Sequence, residues 1–179
     1  MATPATTTSY SASVVVGKYT YVFFNETDKK TKKPTIQFFR IEGSDAQRDT
    51  IRINGAAVET QSGPIAAAVF TDGKTKAINI RVYYISNHKI VEVGLNDAAT
   101  NKIWQSNDMA ATGIEVAPGS LLIAIGQSSL KELTALSTDA MDKDALIRIY
   151  YNSKAYADMV TASTCNGQTG QWKPQELEE

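Results

Sequence analysis

Arg81 and Glu92 lie on either side of Asn87-His88, a stretch that reads as a tight turn between two apolar runs. Strands joined by so short a turn pair antiparallel, which lets both side chains emerge near one edge of the same hairpin. A guanidinium is a planar fork of donors and a carboxylate only accepts. The two therefore make either a cross-strand ion pair or a donor-and-acceptor pair open to a polar ligand. Other residues of catalytic type are sparse. His88, the single histidine, falls in the turn, and no Gly-x-Ser-x-Gly elbow offers it a serine partner. Cys165 is the single cysteine, so an intrachain disulfide and a Cys/His zinc site are both excluded. No base stands near it in sequence, and it reads as a passive thiol. Asp139, Asp142 and Asp144 lack the glycine and closing glutamate of a calcium loop and read as a solvated acidic loop. No catalytic residue, metal site or cofactor is expected.

The charge balance excludes another class of partner. Eighteen basic side chains face 19 acidic ones, for a net charge of −1. A protein that tracks a nucleic-acid backbone needs a basic excess or stripe. The one dense run, Lys29-Lys30-Thr31-Lys32-Lys33, reads as a solvated loop. No stretch approaches the ~20 consecutive apolar residues of a membrane span, so no membrane insertion is expected. The first residues lack the basic and apolar regions of a secretory signal. The expected location is cytoplasmic, with any release by an unconventional route. Asn25-Glu26-Thr27 matches the glycosylation sequon but carries no weight without such a signal.

The elements that must position these residues are short and rich in Val, Ile, Tyr and Phe. Ser13–Lys18, Tyr19–Phe24, Thr35–Ile41, Thr50–Asn54, Pro64–Phe70, Ala77–Ser86 and Lys89–Leu95 all read as strands, as do Ser120–Ile125, Ala145–Tyr151 and Ala155–Thr161. In one of them Ile78, Ile80, Val82 and Tyr84 alternate with Asn79, Arg81 and Tyr83. Ser128–Met141, with leucines three apart, could hold a short helix. The expected fold class is all-β.

Two stretches repeat. Gly63–Phe70, Ile78–Tyr84, Lys89–Glu92 and Trp104 match Gly119–Ile125, Leu146–Tyr151, Tyr156–Asp158 and Trp172. The arginines, Arg81 and Arg148, are 67 residues apart and the tryptophans 68, which argues for duplication. A weaker first copy runs through Val14–Phe24, Thr35–Ile41 and a strand near Ile51, with Gln37 at the arginine position. Units of this size suit propeller blades. The expected chain has a flexible segment over 1–12, one domain over 13–173 in units 13–60, 62–107 and 118–173, and a tail over 174–179. About three four-stranded blades cannot close a ring, so a β-propeller-type fold completed by oligomerisation, most economically as a homodimer, is expected. A monomeric β-sandwich with internally similar hairpins is the alternative.

The ordered set in the middle copy resembles a blade of the fucose-specific lectin family, fungal six-bladed propellers with shorter bacterial relatives. It comprises a small-apolar strand at Ser62–Phe70, I-R-V-Y at Ile80–Tyr83, K-I-x-E at Lys89–Glu92 and a following tryptophan. The resemblance extends over roughly Ser62 to Trp172. It implies a non-catalytic, multivalent carbohydrate-binding protein for fucosylated glycans or a similar terminal monosaccharide, with Arg81, Glu92 and Trp104 as the contacts of one site. Arg148, Asp158 and Trp172 would form another. An arginine fork suits vicinal hydroxyls, a carboxylate accepts their protons, and an aromatic ring takes a sugar's C–H face. The aromatic that the family places after the glutamate is Leu95 here, and Thr161 in the last copy. Those departures keep open a structural or protein-interaction propeller without sugar sites. A glycoside hydrolase would need two facing carboxylates, and only Glu92 stands beside an arginine and an aromatic.

Overall fold

The computed structural model describes residues 10–29, 31–61, 63–71, 75–100, 102–107, 114–126, 145–155, 160–166 and 172–176. Every regular element among them is a strand, so the chain is all-β. The first sheet contains β1 (Ser11–Val16), β2 (Tyr19–Thr27), β3 (Pro34–Glu42) and β4 (Asp45–Thr50), in that order. A two-stranded ribbon of β5 (Arg52–Ile53) and β6 (Ala56–Ala57) follows. The second sheet is β7 (Ile65–Thr71), β8 (Ile78–Ser86), β9 (Lys89–Leu95) and β10 (Trp104–Asn107). The third is β11 (Leu122–Gly126), β12 (Ala145–Asn152), β13 (Val160–Asn166) and β14 (Trp172–Glu176). All three are simple antiparallel meanders, and none closes on itself.

Local chemistry sets the turns. Ser86 pairs with Lys89, leaving Asn87 and His88 as a two-residue turn with φ of 50° and 58°. Positive φ at both central residues is what a type I′ hairpin requires, and Asn and His tolerate that region better than branched residues. Gly17, at φ 58°, opens the equally tight turn between β1 and β2.

Alternation along the strands stacks the sheets face to face. Val14, Val16, Tyr21, Phe23, Ile36 and Phe38 point from the first sheet toward Ile80, Val82, Tyr84, Val93 and Leu95 of the second. From the opposite face of the second sheet, Ala66, Ala68, Phe70 and Tyr83 meet Leu122, Ile147, Ile149 and Tyr151 of the third. The middle sheet is thus buried on both sides. The first strand of each sheet lies at the centre of this arrangement, since β7 contacts both β1 and β11. Their approach is close enough that a Cβ on Gly126 would collide with the carbonyl of Val69.

The first unit differs from its expected alignment. Tyr19–Thr27 is the second strand of its sheet and Pro34–Glu42 the third, so Gln37 does not occupy the arginine position. The lysine-rich loop therefore joins second to third strands, a step that the second sheet makes with the two-residue Asn87-His88 turn. The fourth strand is Asp45–Thr50 and not the segment near Ile51. Its sequence, DAQRDT, is wholly exposed except for its last residue and offers no apolar alternation to read. Charged edge strands of this kind block pairing with another chain. Ile51 instead turns inward as a buried anchor, its amide bonded to the Ile36 carbonyl. The expected helix over Ser128–Met141 and the aspartates at 139, 142 and 144 lie outside the described residues.

Candidate functional site

The hairpin of β8 and β9 brings Arg81 and Glu92 together on the face turned toward the third sheet. In the ladder Glu92 stands opposite Tyr83, while Arg81 is flanked by Ala68 and Gly94. Those small neighbours leave the guanidinium room to reach sideways, and Nε lies 3.2 Å from Glu92 Oε1. Nη1 donates to the Ile80 carbonyl at 3.0 Å, and the cation sits 5.1 Å from the centre of the Phe70 ring. The side chains are only 13% and 7% exposed. A pair so enclosed holds because each charge is matched, and removing one partner strands the other.

Trp104 does not join them. It lies on the opposite face of the same sheet, edge-on to Phe23 at 5.8 Å and 90°, and 5.8 Å from Phe38. The tryptophan on the Arg81 and Glu92 side of the sheet is instead Trp172, contributed by the third sheet and edge-on to Tyr83 at 5.9 Å and 84°. The same device appears twice. The tryptophan that opens the fourth strand of one sheet plugs onto an aromatic in the second strand of the sheet before it.

The ladders of the second and third sheets can be aligned row by row. Ile80, Leu95 and Trp104 lie in one row of the second sheet, and Ile147, Cys165 and Trp172 form the same row of the third. Arg148 accordingly matches Arg81 and Tyr150 matches Tyr83. The position corresponding to Glu92 is then Ala162, opposite Tyr150. Asp158 is displaced because the connection before β13 is longer: Asn152 pairs with Val160 where Ile85 pairs with Ile90. Asp158 itself lies outside the described residues. Arg148 Nε is enclosed and finds no hydrogen-bond partner among the described residues.

An open cavity of about 690 Å³ lies at the other inter-sheet junction, between β3–β4 and the segment leading to Trp104. Its polar wall is the β3–β4 hairpin, where Arg40 pairs with Gln47 across the ladder and Nη2 donates to the Gln47 amide oxygen at 2.5 Å. The exposed Asp49 stands opposite Phe38 on the same face. Tyr19 and Tyr21 contribute aromatic surface, with Arg40 5.1 Å from the centre of the Tyr19 ring. Burial raises the pKa of the Tyr21 phenol, and the nearby Arg40 charge pulls it back. Trp104 forms the apolar floor, and Thr100 and Lys102 line the rim. A donor fork, a carboxylate acceptor, an amide and aromatic side chains thus line one solvent-open space.

Sequence reasoning missed Arg40, Gln47 and Asp49. The signal lay in Arg40 and Gln47 flanking the tight turn at Gly43-Ser44, as Arg81 and Glu92 flank Asn87-His88. It was hidden by a fourth strand without apolar residues. Asn25, at the sequon, is occupied otherwise: Nδ2 donates to the Gly63 carbonyl at 2.7 Å. Comparison with protein-family models, curated proteins and solved structures found no match to this chain.

Proposed function

We propose that this chain is a non-catalytic carbohydrate-binding protein of propeller type, with three blades per chain. It holds fucose or a similar terminal monosaccharide in the cleft between its first two sheets. The observation that carries the reading is the cleft's donor set. Arg40 supplies a fork for vicinal hydroxyls, Asp49 and Gln47 accept, and the half-buried Tyr19 offers aromatic surface to a sugar's C–H groups. Asp49 is the one carboxylate among the residues lining the cleft, and a hydrolase would need a second facing it. Monosaccharide sites are individually weak, so avidity would come from several copies of the site in an oligomer. In this reading the Arg81–Glu92 pair ties β8 to β9 within the second sheet. The cations Arg40, Arg48, Arg52 and Lys102 outnumber Asp49, so an acidic monosaccharide belongs in the test panel beside L-fucose.

Trp104 provides the readout. The chain has two tryptophans, and in a Trp172→Phe variant the remaining emission reports on the cleft alone. A saturable change on adding one monosaccharide, absent with Arg40→Ala, supports the reading. Unchanged emission with every sugar at concentrations well above a weak Kd refutes it.

A protein-interaction role is the second reading, favoured by the enclosure of Arg81 and Glu92 and by Ala162 at the position of a second carboxylate. A blank glycan array together with recovery of one defined partner from cell extract would select it.

A further inference from the structure

The cleft between the first two sheets carries more positive charge than its surroundings neutralise. Arg40, Arg52 and Lys102 line it, against the single carboxylate of Asp49. Of the ion pairs among the described residues, none involves any of these four side chains. The acids close by are engaged elsewhere. Glu42 pairs with Lys18, and Asp97 accepts from the Thr100 hydroxyl. Arg48 also borders the cleft, but its guanidinium lies over the Phe24 and Phe39 rings and pairs with Glu26.

The three cations keep donors to spare. Stacking on the Tyr19 ring occupies a face of the Arg40 guanidinium, and Gln47 takes one N–H. In-plane donors remain for an oxyanion. Arg52 gives one N–H to the Gly55 carbonyl at 3.2 Å, across a turn with positive φ at Asn54 and Gly55. That bond folds the side chain back over the turn. Lys102 is exposed and comes from the second sheet's side, two residues before Trp104. Because β5 packs against β10, Arg52 and Lys102 approach one end of the cleft from opposite walls. Arg40, Gln47 and Asp49 share the β3–β4 hairpin.

We infer that the cleft selects an anionic saccharide, a sugar ring that bears a carboxylate or a sulfate. The ring's hydroxyls meet Arg40, Gln47 and Asp49, and its acid group meets Arg52 and Lys102. The unmatched cations repel one another, and an anionic ligand relieves that repulsion where a neutral one leaves it in place. A guanidinium fork pairs with two oxygens of either acid group, so the two are one chemistry here. The inference rests on the carbohydrate reading of this cleft and narrows it from any terminal monosaccharide to a charged one.

The test is a Trp104 fluorescence titration of the Trp172→Phe chain at low salt. The ligands are D-galacturonate, D-galactose 6-sulfate, D-galactose and L-fucose. D-Galactose differs from the two anions only at its 6-position, so the comparison isolates the charge. The expected Kd for at least one anion is about 10-fold or more below that for D-galactose, the worth of a charge-assisted hydrogen bond. In about 1 M salt, where the screening length falls to about 3 Å, the difference should shrink. Arg52→Gln with Lys102→Gln should bring the anion's Kd to that of D-galactose in the same variant, with near-ultraviolet circular dichroism confirming the fold. Whichever anion binds more tightly identifies the acid group. Neutral sugars binding as tightly as the anions overturn the inference and leave the carbohydrate reading standing, as does an anion advantage that survives in the double variant. Sodium sulfate or acetate binding as tightly as the anionic sugars, or no binding by any of the four, overturns both.

Discussion

Glu92 and Arg81 show how one pair of residues supports two readings until burial is known. Their spacing placed them on one hairpin, and the structure holds them 3.2 Å apart. Burial of both side chains, with Arg81 against the Phe70 ring, makes the pair an internal tie. Glu92→Gln leaves a guanidinium without its counter-charge in a low-dielectric setting. The expected cost is about 3–5 kcal/mol in urea unfolding, and Arg81→Met with Glu92→Leu should recover most of it. A cost near zero for Glu92→Gln would mean that water reaches the pair. The residues of the cleft were less legible. Arg40 and Asp49 carry no motif, and only the fold reveals that they face Trp104 from a neighbouring sheet.

Among the elements, strands with alternating or β-branched sequences were readable, as was the Asn87-His88 hairpin, because burial and turn chemistry both write themselves into local sequence. Asp45–Thr50 was not, since an exposed edge strand is fixed by backbone pairing alone. That one unread strand shifted the alignment of the whole first unit. The length of the β12–β13 connection likewise displaced Asp158, because ladder register and not sequence spacing decides which residues face each other. Where first strands converge, the constraint is steric. Gly126→Ala must push β11 away from the Val69 carbonyl, at an expected cost of about 1–3 kcal/mol in chemical denaturation. An unchanged midpoint would show that β7 and β11 do not pack so closely.

Across the molecule, burial of aromatic hydroxyls sets the alkaline limit. Tyr21, Tyr84 and Tyr151 all have pKa values raised above 10.0, chiefly by desolvation of the phenolate. A raised folded-state pKa means that the native state keeps protons which the unfolded chain releases. Stability is therefore complete below pH 10 and falls as pH rises through the folded values. Thermal melts should show Tm decreasing above that point, with part of the tyrosinate absorbance appearing only on unfolding. Full titration of the tyrosines before unfolding would contradict the packing of these three.

The matching rows of the second and third sheets were legible from two landmarks, the paired arginines and tryptophans, because both fall at the same ladder positions. Ligand chemistry is a property of the assembled cleft and needed the stack. Titration calorimetry of the purified chain with L-fucose, D-galactose, D-mannose and an acidic monosaccharide tests it most directly, with Arg40→Ala and Arg81→Ala beside the wild type. Saturable heat with one sugar, lost in Arg40→Ala and kept in a folded Arg81→Ala, is the predicted result. No heat with any sugar, or binding lost only in Arg81→Ala, would contradict a carbohydrate site in the cleft between the first two sheets.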